Sequence, residues 1–207
     1  MKARVGIVAY GMGNVASLRN ALNAIGAEVL MAARPEQLRE TTHIILPGVG
    51  AFPTGMERLR RLGFEAELTP LVLEEKRPFL GICLGMQLLA STGEEHRLSR
   101  GLGFVPGRAV ALDSAGLRLP HIGWNDTRVV RDTALVRTGA EPGCFYYVHG
   151  YQLIPDDPGD VVLACDYGRP FAAAIERGRI FGVQFHPEKS HAGGLELLRR
   201  FVAVPPC

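Results

Sequence analysis

The sequence lacks the features that mark membrane, secreted or strongly charged proteins. Its formal net charge is +2 over 207 residues, which is too small to indicate nucleic-acid binding. Residues 78–93, one of the longest uncharged stretches, contain glycines and Gln87 and are too short and polar to span a membrane. The first residues also lack the apolar segment of a signal peptide. We therefore expect a cytoplasmic protein that binds neither membranes nor nucleic acid.

Cysteine is scarce, and its spacing does not suggest a metal site. The four cysteines are far apart in the chain and form no Cys-x-x-Cys pair; they are Cys83, Cys144, Cys165 and Cys207. Widely spaced cysteines in a chain without a secretion signal predict reduced thiols rather than disulfides. The sequence therefore predicts no metal and no cofactor.

The first half of the chain alternates short apolar runs with helical patterns. This alternation predicts βαβ units, with a parallel sheet covered by helices on both faces. The strands are predicted at 5–10, 27–32, 43–46 and 79–83, and the helices at 15–25, 35–39, 53–62, 64–75 and 84–90.

After residue 101 the pattern changes to short strands separated by Gly, Pro and Asp turns. The strands are predicted at 108–112, 121–130, 144–150, 161–166, 172–176 and 180–185, before a final helix at 195–204. They are expected to be antiparallel, either added to the same sheet or forming a second small one. Without repeats or a linker, we predict one α/β domain over residues 1–207.

The stretch GICLG, residues 81–85, places Cys83 between two glycines where an apolar strand turns into a helix. Gly-x-nucleophile-x-Gly is the pattern of a nucleophile elbow, in which larger flanking side chains would collide. A helix N-terminus also favours the thiolate over the thiol. The pattern predicts a nucleophilic cysteine, although a lone cysteine is also a common core residue.

A cysteine nucleophile needs a base and a group that orients the base. His186 follows the apolar run 180–185, and Glu188 stands two residues later. In an extended chain, side chains at i and i+2 point the same way, and Pro187 disfavours a helix at His186. We therefore predict a Cys83–His186–Glu188 triad. A turn with a solvated carboxylate is the alternative for His-Pro-Glu alone.

The segment PGVGAF, residues 47–52, directly follows a predicted strand. Its glycines would allow backbone N–H groups to approach a substrate closely. Together with GICLGMQLL (81–89) and GVQFHPEKS (182–190), it resembles the class I (triad) glutamine amidotransferases. In that family, the cysteine, histidine and glutamate hydrolyse the side-chain amide of glutamine.

A narrower resemblance rests on YGMGN (10–14), PHIGWN (120–125) and YYVHGY (146–151). These motifs are similar to those of the glutaminase subunits of imidazole glycerol phosphate synthases, from histidine biosynthesis. The resemblance implies a heterodimer with the cyclase subunit of that synthase, a (βα)₈ barrel that would receive ammonia from glutamine. It also implies low glutaminase activity without the partner.

The resemblance assigns further roles by position. It implies oxyanion-hole N–H groups at Val49, Gly50 and Leu84, glutamine-binding residues Gln87, Glu95, Gly150 and Tyr151, and partner-interface residues Asn14, Trp124 and Lys189. Gly150 stands where the family pattern has a small hydroxyl residue, so only a backbone contact is expected there.

Three other functions fit parts of the sequence. Residues 11–16 match a dinucleotide-binding turn, but no acidic residue closes the second predicted strand. The elbow also fits another class of cysteine hydrolase. Finally, the same glutaminase chemistry would serve a different synthase, such as one in pyridoxal phosphate or aminobenzoate biosynthesis.

Overall fold

The computed structural model describes residues 3–136 and 143–206, and a nine-stranded sheet runs through its centre. Five neighbouring strands of this sheet are all parallel, in the order β2-β1-β3-β4-β13. They are β1 (Arg4–Val8), β2 (Glu28–Ala32), β3 (His43–Gly48), β4 (Phe79–Cys83) and β13 (Ile180–Val183). The prediction of a parallel sheet in the first half of the chain is therefore confirmed.

The second half of the chain both extends the large sheet and contributes to a second one, the two arrangements that were predicted as alternatives. The large sheet continues from β13 in the order β12-β11-β8-β9, and every one of these pairs is antiparallel. A separate four-stranded sheet has the order β10-β7-β5-β6. The strands are β5 (Thr92–Gly93), β6 (Ser99–Arg100), β7 (Gly107–Ala111), β8 (His121–Val129), β9 (Gly143–His149), β10 (Tyr151–Pro155), β11 (Val161–Tyr167) and β12 (Arg169–Arg177). Two strands of the second half were wrongly predicted to be purely antiparallel, because β13 pairs in parallel with β4 and β7 pairs in parallel with β5.

Helices cover both faces of the large sheet because its strands are apolar on both sides. In β3, Ile44 and Leu46 belong to one buried cluster, whereas the intervening Ile45 belongs to the other. The first cluster includes residues of α2 (Phe52–Arg61), α3 (Phe64–Thr69) and α4 (Leu84–Gln87). The second includes residues of α1 (Val15–Ala24) and α5 (His191–Val202).

Short irregular helices complete the chain. A π-helical turn, Pro70–Glu74, follows α3, so the predicted helix 64–75 has two parts. Three 3₁₀ segments cover Pro35–Glu40, Pro158–Asp160 and Pro187–Lys189. Proline is the first residue in each of these four segments, and in the three 3₁₀ segments this is a position where its missing N–H costs no helical hydrogen bond.

Helix α4 is shorter than the predicted helix 84–90. The carbonyl oxygens of Leu88 and Leu89 accept hydrogen bonds from the N–H groups of Leu102 and Val105, at 2.9 and 3.0 Å. These carbonyls therefore pair with a distant segment instead of continuing the helix. The strand β10 was not predicted at all, and α5 begins four residues earlier than expected.

The parallel strands bring the predicted functional segments to one edge of the sheet. Gly48 at the end of β3 pairs with Cys83 at the end of β4, and Val183 at the end of β13 pairs with Ile82. The segments that follow these three strands therefore meet at the carboxyl edge. Within the described ranges, none of the helices has the length and apolar character needed to cross a membrane.

Candidate active site

Cys83 lies at a sharp turn between β4 and α4. Its backbone has φ +54° and ψ −113°, in a region that side-chain-bearing residues rarely adopt. The residue is buried but not sealed, with 6% of its surface exposed. This is the backbone strain expected of a nucleophile elbow, and it turns the sulfur away from the regular course of the strand.

The two glycines flanking the elbow are required by close packing. A Cβ atom on Gly85 would overlap the carbonyl oxygen of Leu46, and one on Gly81 would lie 2.5 Å from the carbonyl oxygen of Gly85. Both contacts involve backbone atoms, which do not move aside as a flexible side chain can. The steric reason predicted for the Gly-x-Cys-x-Gly pattern therefore holds at both positions.

His186 and Glu188 form a buried pair. Nδ1 of His186 lies 2.9 Å from Oε1 of Glu188, and each side chain is only 4% exposed. The backbone of His186 is extended as predicted, with φ −101° and ψ +98°, but the chain after it is not, because Pro187–Lys189 is a 3₁₀ turn. A carboxylate only accepts hydrogen bonds, so Nδ1 carries a proton, and Nε2 is the atom of His186 that takes up or releases the second proton.

The structure brings the His186 ring and the Cys83 sulfur together. Burial is the largest single influence on the pKa of His186 and lowers it, but the interactions with Cys83 and Glu188 together outweigh burial and raise that pKa above the ordinary value. Nε2 of His186 nevertheless has no hydrogen-bond partner among the described residues. The two groups are therefore close neighbours, with the base not yet bonded to the thiol.

In this arrangement the thiol of Cys83 points to a different acceptor. Sγ lies 3.8 Å from the carbonyl oxygen of Val148, to which it donates, and 3.8 Å from Nε2 of Gln184. Neither Val148 nor Gln184 was predicted as a site residue. The sequence does contain a signal for Gln184 as a site residue, because it is the one polar residue in the otherwise apolar run 180–185.

A second set of missed residues holds the histidine in place. The Ser190 hydroxyl donates to the carbonyl oxygen of His186 at 2.6 Å and accepts from the N–H of Tyr146 at 3.0 Å. The N–H of His186 in turn donates to the carbonyl oxygen of Tyr146 at 2.9 Å. These bonds tie the 3₁₀ turn to β9 and limit the movement of the ring.

The predicted oxyanion segment lies beside the elbow. Val49 and Gly50 follow Gly48, the register partner of Cys83, and Gly50 has φ +104°. Leu84 is the first residue of α4, so its N–H has no acceptor within that helix. The Val49 side chain is 44% exposed, so this segment borders solvent beside the sulfur.

Three of the predicted glutamine-binding residues meet on one side of the elbow. Nε2 of Gln87 donates to the carbonyl oxygen of Tyr151 at 3.0 Å, and Gly150 precedes Tyr151. A Cβ atom on Gly150 would meet nothing closer than Pro120, at 3.9 Å. Glu95 contacts the end of the oxyanion segment, where its Oε2 accepts from the N–H of Phe52 at 2.7 Å and caps the start of α2.

Two buried histidines adjoin this group without being in the predicted triad. Nδ1 of His121 lies 3.1 Å from Nε2 of His149, whose Nδ1 lies 2.9 Å from the carbonyl oxygen of Tyr151. Burial is the main cause that lowers the pKa of His149 to about 4 and also lowers the pKa of His121. Both are therefore neutral at pH 7 and serve as hydrogen-bonded structural groups.

The predicted interface residues Trp124 and Lys189 join an exposed aromatic group that we name the Trp124 cluster: Trp124, Tyr146, Lys189 and His191. The Trp124 ring stacks on His191 at 4.7 Å with an interplanar angle of 5°, and Nζ of Lys189 lies 5.3 Å from the centre of the Tyr146 ring. Trp124 is 46% exposed, which leaves a large aromatic surface uncovered.

Asn14 lies at the start of α1, where its Oδ1 accepts from the N–H of Ser17 at 3.3 Å. Ser17 lines the same surface groove as Lys189 and His191. The start of α1 therefore borders the Trp124 cluster. The glycine turn before Asn14 packs on the oxyanion segment, since a Cβ atom on Gly13 would lie 3.2 Å from Pro47. Asn14 therefore caps the start of α1.

Comparisons with known proteins agree with this geometry. The family described as glutamine amidotransferase class-I matches residues 7–204. The chain is similar to imidazole glycerol phosphate synthase subunit HisH 2 of Methanococcus maripaludis, with 41% identity covering 96% of this chain and 98% of the relative. It is also similar to subunit HisH of Moorella thermoacetica, with 44% identity covering 95% and 93% of the two chains.

Two solved structures have a fold similar to that of this chain. A crystal structure of a glutamine amidotransferase has a TM-score of 0.76 at 22% identity and covers 96% of both chains. The structure of PurLQS from Thermotoga maritima also has a TM-score of 0.76 at 22% identity and covers 98% of both chains. The sequence matches extend over nearly the whole chain, and the chain therefore belongs to the class I glutamine amidotransferase family, within its group of imidazole glycerol phosphate synthase HisH subunits.

Proposed function

We propose that this chain, as one domain over residues 1–207, is the glutaminase subunit of imidazole glycerol phosphate synthase. It hydrolyses L-glutamine to glutamate and ammonia through Cys83, His186 and Glu188. The observation that carries the proposal is the buried His186–Glu188 hydrogen bond beside a strained cysteine elbow. A base held in one tautomer next to a thiol is the arrangement that covalent amide hydrolysis needs.

The first half of the reaction follows from the tautomer of His186. Nε2 takes the thiol proton from Cys83, and the sulfur attacks the carboxamide carbon of glutamine. Glu188 accepts from Nδ1 and stabilises the imidazolium that forms. The imidazolium then gives its proton to the leaving nitrogen, so the C–N bond breaks and ammonia departs from a γ-glutamyl thioester.

Backbone donors stabilise the charge that develops on the carboxamide oxygen. The N–H groups of Val49, Gly50 and Leu84 form this oxyanion hole, and each donor contributes about 3–4 kcal/mol to the transition state. Water then attacks the thioester with His186 as its base. Glutamate leaves, and Cys83 returns to its starting form. Gln87, Glu95, Gly150 and Tyr151 surround the bound glutamine.

The isolated chain is in a resting state in this proposal. The thiol of Cys83 donates to the carbonyl oxygen of Val148, and Nε2 of His186 has no partner among the described residues. Activation therefore requires the thiol to turn from Val148 to His186. We further propose that the oxyanion segment turns its N–H groups to the substrate in the same step. Gly48 and Gly50 make a peptide rotation there inexpensive.

The partner is the cyclase subunit of imidazole glycerol phosphate synthase, with which the chain forms a heterodimer in the cytoplasm. The Trp124 cluster and Asn14 form its docking surface, and ammonia passes through this interface to the cyclase. A protein of Arabidopsis thaliana named imidazole glycerol phosphate synthase hisHF supports the pairing of this chain with the cyclase subunit. It is 43% identical, and the match covers 96% of this chain but 34% of the plant protein.

The test is the rate of glutamate release with and without the cyclase and its nucleotide substrate. If binding of the cyclase brings one more N–H group into the oxyanion hole, the rate of glutamate release should rise about 100-fold or more. Full activity of the isolated chain would contradict the resting state. Stimulation by a different synthase, with none by this cyclase, would contradict the assigned partner.

A further inference from the structure

The sulfur of Cys83 contacts two groups of opposite hydrogen-bonding character. The carbonyl oxygen of Val148 can only accept a hydrogen bond, and it faces Sγ at 3.8 Å. Nε2 of Gln184 can only donate, and it also faces Sγ at 3.8 Å. Val148 thus favours the thiol, whereas Gln184 favours the thiolate. The side chain of Gln184 reaches the reacting atom itself.

Gln184 is firmly placed. It is fully buried, at 0% exposure, and its backbone N–H donates to the carbonyl oxygen of Ala173 at 2.8 Å. A buried amide without partners would cost about 1–3 kcal/mol, so its position next to the sulfur needs a compensating network. That network consists of a second glutamine, a backbone carbonyl and two histidines.

The network determines which end of the Gln184 amide faces the sulfur. The carbonyl oxygen of Tyr151 only accepts, so the Gln87 atom 3.0 Å from it must be the amide nitrogen. The same nitrogen lies 3.1 Å from the other glutamine's amide, which must therefore present its oxygen. The nitrogen of Gln184 is left to face Sγ.

The Tyr151 carbonyl is itself fixed from the opposite side. Nδ1 of His149 lies 2.9 Å from it and must carry a proton, so Nε2 of His149 accepts from Nδ1 of His121 at 3.1 Å. His121 is in turn 3.4 Å from the side-chain amide nitrogen of Asn125 on β8. The N–H donors of Gln87 and His149 thus occupy both lone pairs of the Tyr151 carbonyl oxygen. This determines which group donates and which accepts in every hydrogen bond of the network.

We propose that Gln184 is a catalytic residue that donates to the Cys83 thiolate, and that Gln87 is a positioning residue that holds the Gln184 amide in the donating orientation. This role rests on the proposed function, because it stabilises the nucleophile of that reaction. A neutral donor suits the site, since it lowers the energy of the thiolate without competing with His186 for the proton.

The test measures the thiolate directly and does not depend on glutamine hydrolysis. The variant Gln184→Met keeps the length of the side chain and removes the donor, and Gln184→Glu replaces the donor with a negative charge. The full-length chain, with Cys144→Ser to remove an exposed thiol, is alkylated with iodoacetamide from pH 5 to 10. Mass spectrometry quantifies the adduct on Cys83.

We expect Gln184→Met to slow alkylation at pH 7 about tenfold and to move the midpoint of the pH profile upward, with a larger shift for Gln184→Glu. Gln87→Met should move the midpoint in the same direction, because it frees the Gln184 amide to rotate. In the complex with the cyclase, Gln184→Met should lower kcat about tenfold and leave KM for glutamine within about twofold. The matched control is Gln152→Met, a buried glutamine on β10 whose side chain takes part in none of the hydrogen bonds of this network.

Two outcomes separate this inference from the proposed function. An alkylation profile of Gln184→Met that superimposes on that of the parent, with glutaminase activity retained, would overturn the role of Gln184 alone. A shifted profile in a chain whose complex releases no glutamate would overturn the proposed function and leave the donor role standing. If Gln184→Met does not fold, as judged by circular dichroism, Gln184→Asn gives the same test because its shorter amide no longer reaches the sulfur.

Discussion

Oε1 of Glu188 lies 2.9 Å from Nδ1 of His186, and the proline between these two residues begins a 3₁₀ turn. The turn folds the carboxylate back onto the ring, and both side chains are almost completely buried. Because the carboxylate only accepts, it determines the tautomer of the base. The position of the proton in the resting site therefore depends on a contact between residues only two apart in the chain.

Replacing Glu188 with glutamine should remove the constraint on the tautomer of His186. An amide can present its NH₂ group to Nδ1, which would stabilise the other tautomer and protonate Nε2. We expect Glu188→Gln to lower kcat in the complex by roughly 10²- to 10⁴-fold, with the fold intact. Glutamate release measures the effect. Glu196→Gln, at an exposed position on α5, is the control, and equal rates for the two variants would refute the orienting role.

Cys83 should account for all covalent chemistry. We expect Cys83→Ser to lower glutaminase activity by roughly 10⁴-fold or more and to abolish labelling by a reactive glutamine analogue. Cys144→Ser, at an exposed thiol, should keep both. Burial raises the pKa of Cys165 to about 11, so this thiol should also remain unlabelled at pH 7. Labelling of any other cysteine would contradict the assignment.

The elbow glycines should be essential to stability. Gly85→Ala places a Cβ atom on the carbonyl oxygen of Leu46, which we expect to lower the free energy of unfolding by about 3 kcal/mol or more. Urea denaturation measures the change. The control is Gly193→Ala in α5, where the Cβ would make an ordinary contact 3.6 Å from Phe145. The control should be neutral or stabilising by up to about 1 kcal/mol, and equal losses for both variants would contradict the packing argument.

The buried His149 should make the fold sensitive to acid. The folded state keeps this histidine neutral down to about pH 4, whereas the unfolded chain binds a proton below about pH 6.5. The unfolded state thus binds more protons in this interval, so stability should fall as the pH drops from 6.5 to 4. The loss from His149 alone is about 3 kcal/mol.

Urea denaturation at several pH values measures this loss. His149→Gln should reduce the slope between pH 4 and 6.5. Part of the slope should remain, because burial also lowers the pKa values of His43 and His121. An unchanged slope in the variant would show that His149 is not the group that titrates.

Trp124 should contribute strongly to binding of the cyclase. An exposed indole stacked on His191 has the character of an interface hot spot, for which truncation costs about 2 kcal/mol or more. Trp124→Ala should therefore weaken the complex roughly 30-fold, as measured by calorimetry. Leu98→Ala, at a leucine that is 74% exposed, is the matched control for loss of surface apolar area. Equal affinities for the two variants would exclude Trp124 from the interface.

The fold was predictable wherever the pattern was local. The parallel strands of the first half have apolar runs with helical periodicity between them, and these agree with the structure to within a few residues. Strand β10 and the early end of α4 were not predictable in this way. The carbonyls of Leu88 and Leu89 bond to a segment some 15 residues away, which no local pattern reveals.

The sequence by itself determined the elbow and the extended backbone at His186, because steric exclusion around Gly81 and Gly85 and the restriction imposed by Pro187 act over a few residues. Only the tertiary structure decided which groups surround the sulfur. Gln184 and Val148 are 101 and 65 positions away from Cys83 along the chain. Their contacts depend on strand order and register, and hydrogen bonds form only when those long-range pairings place donor and acceptor within reach.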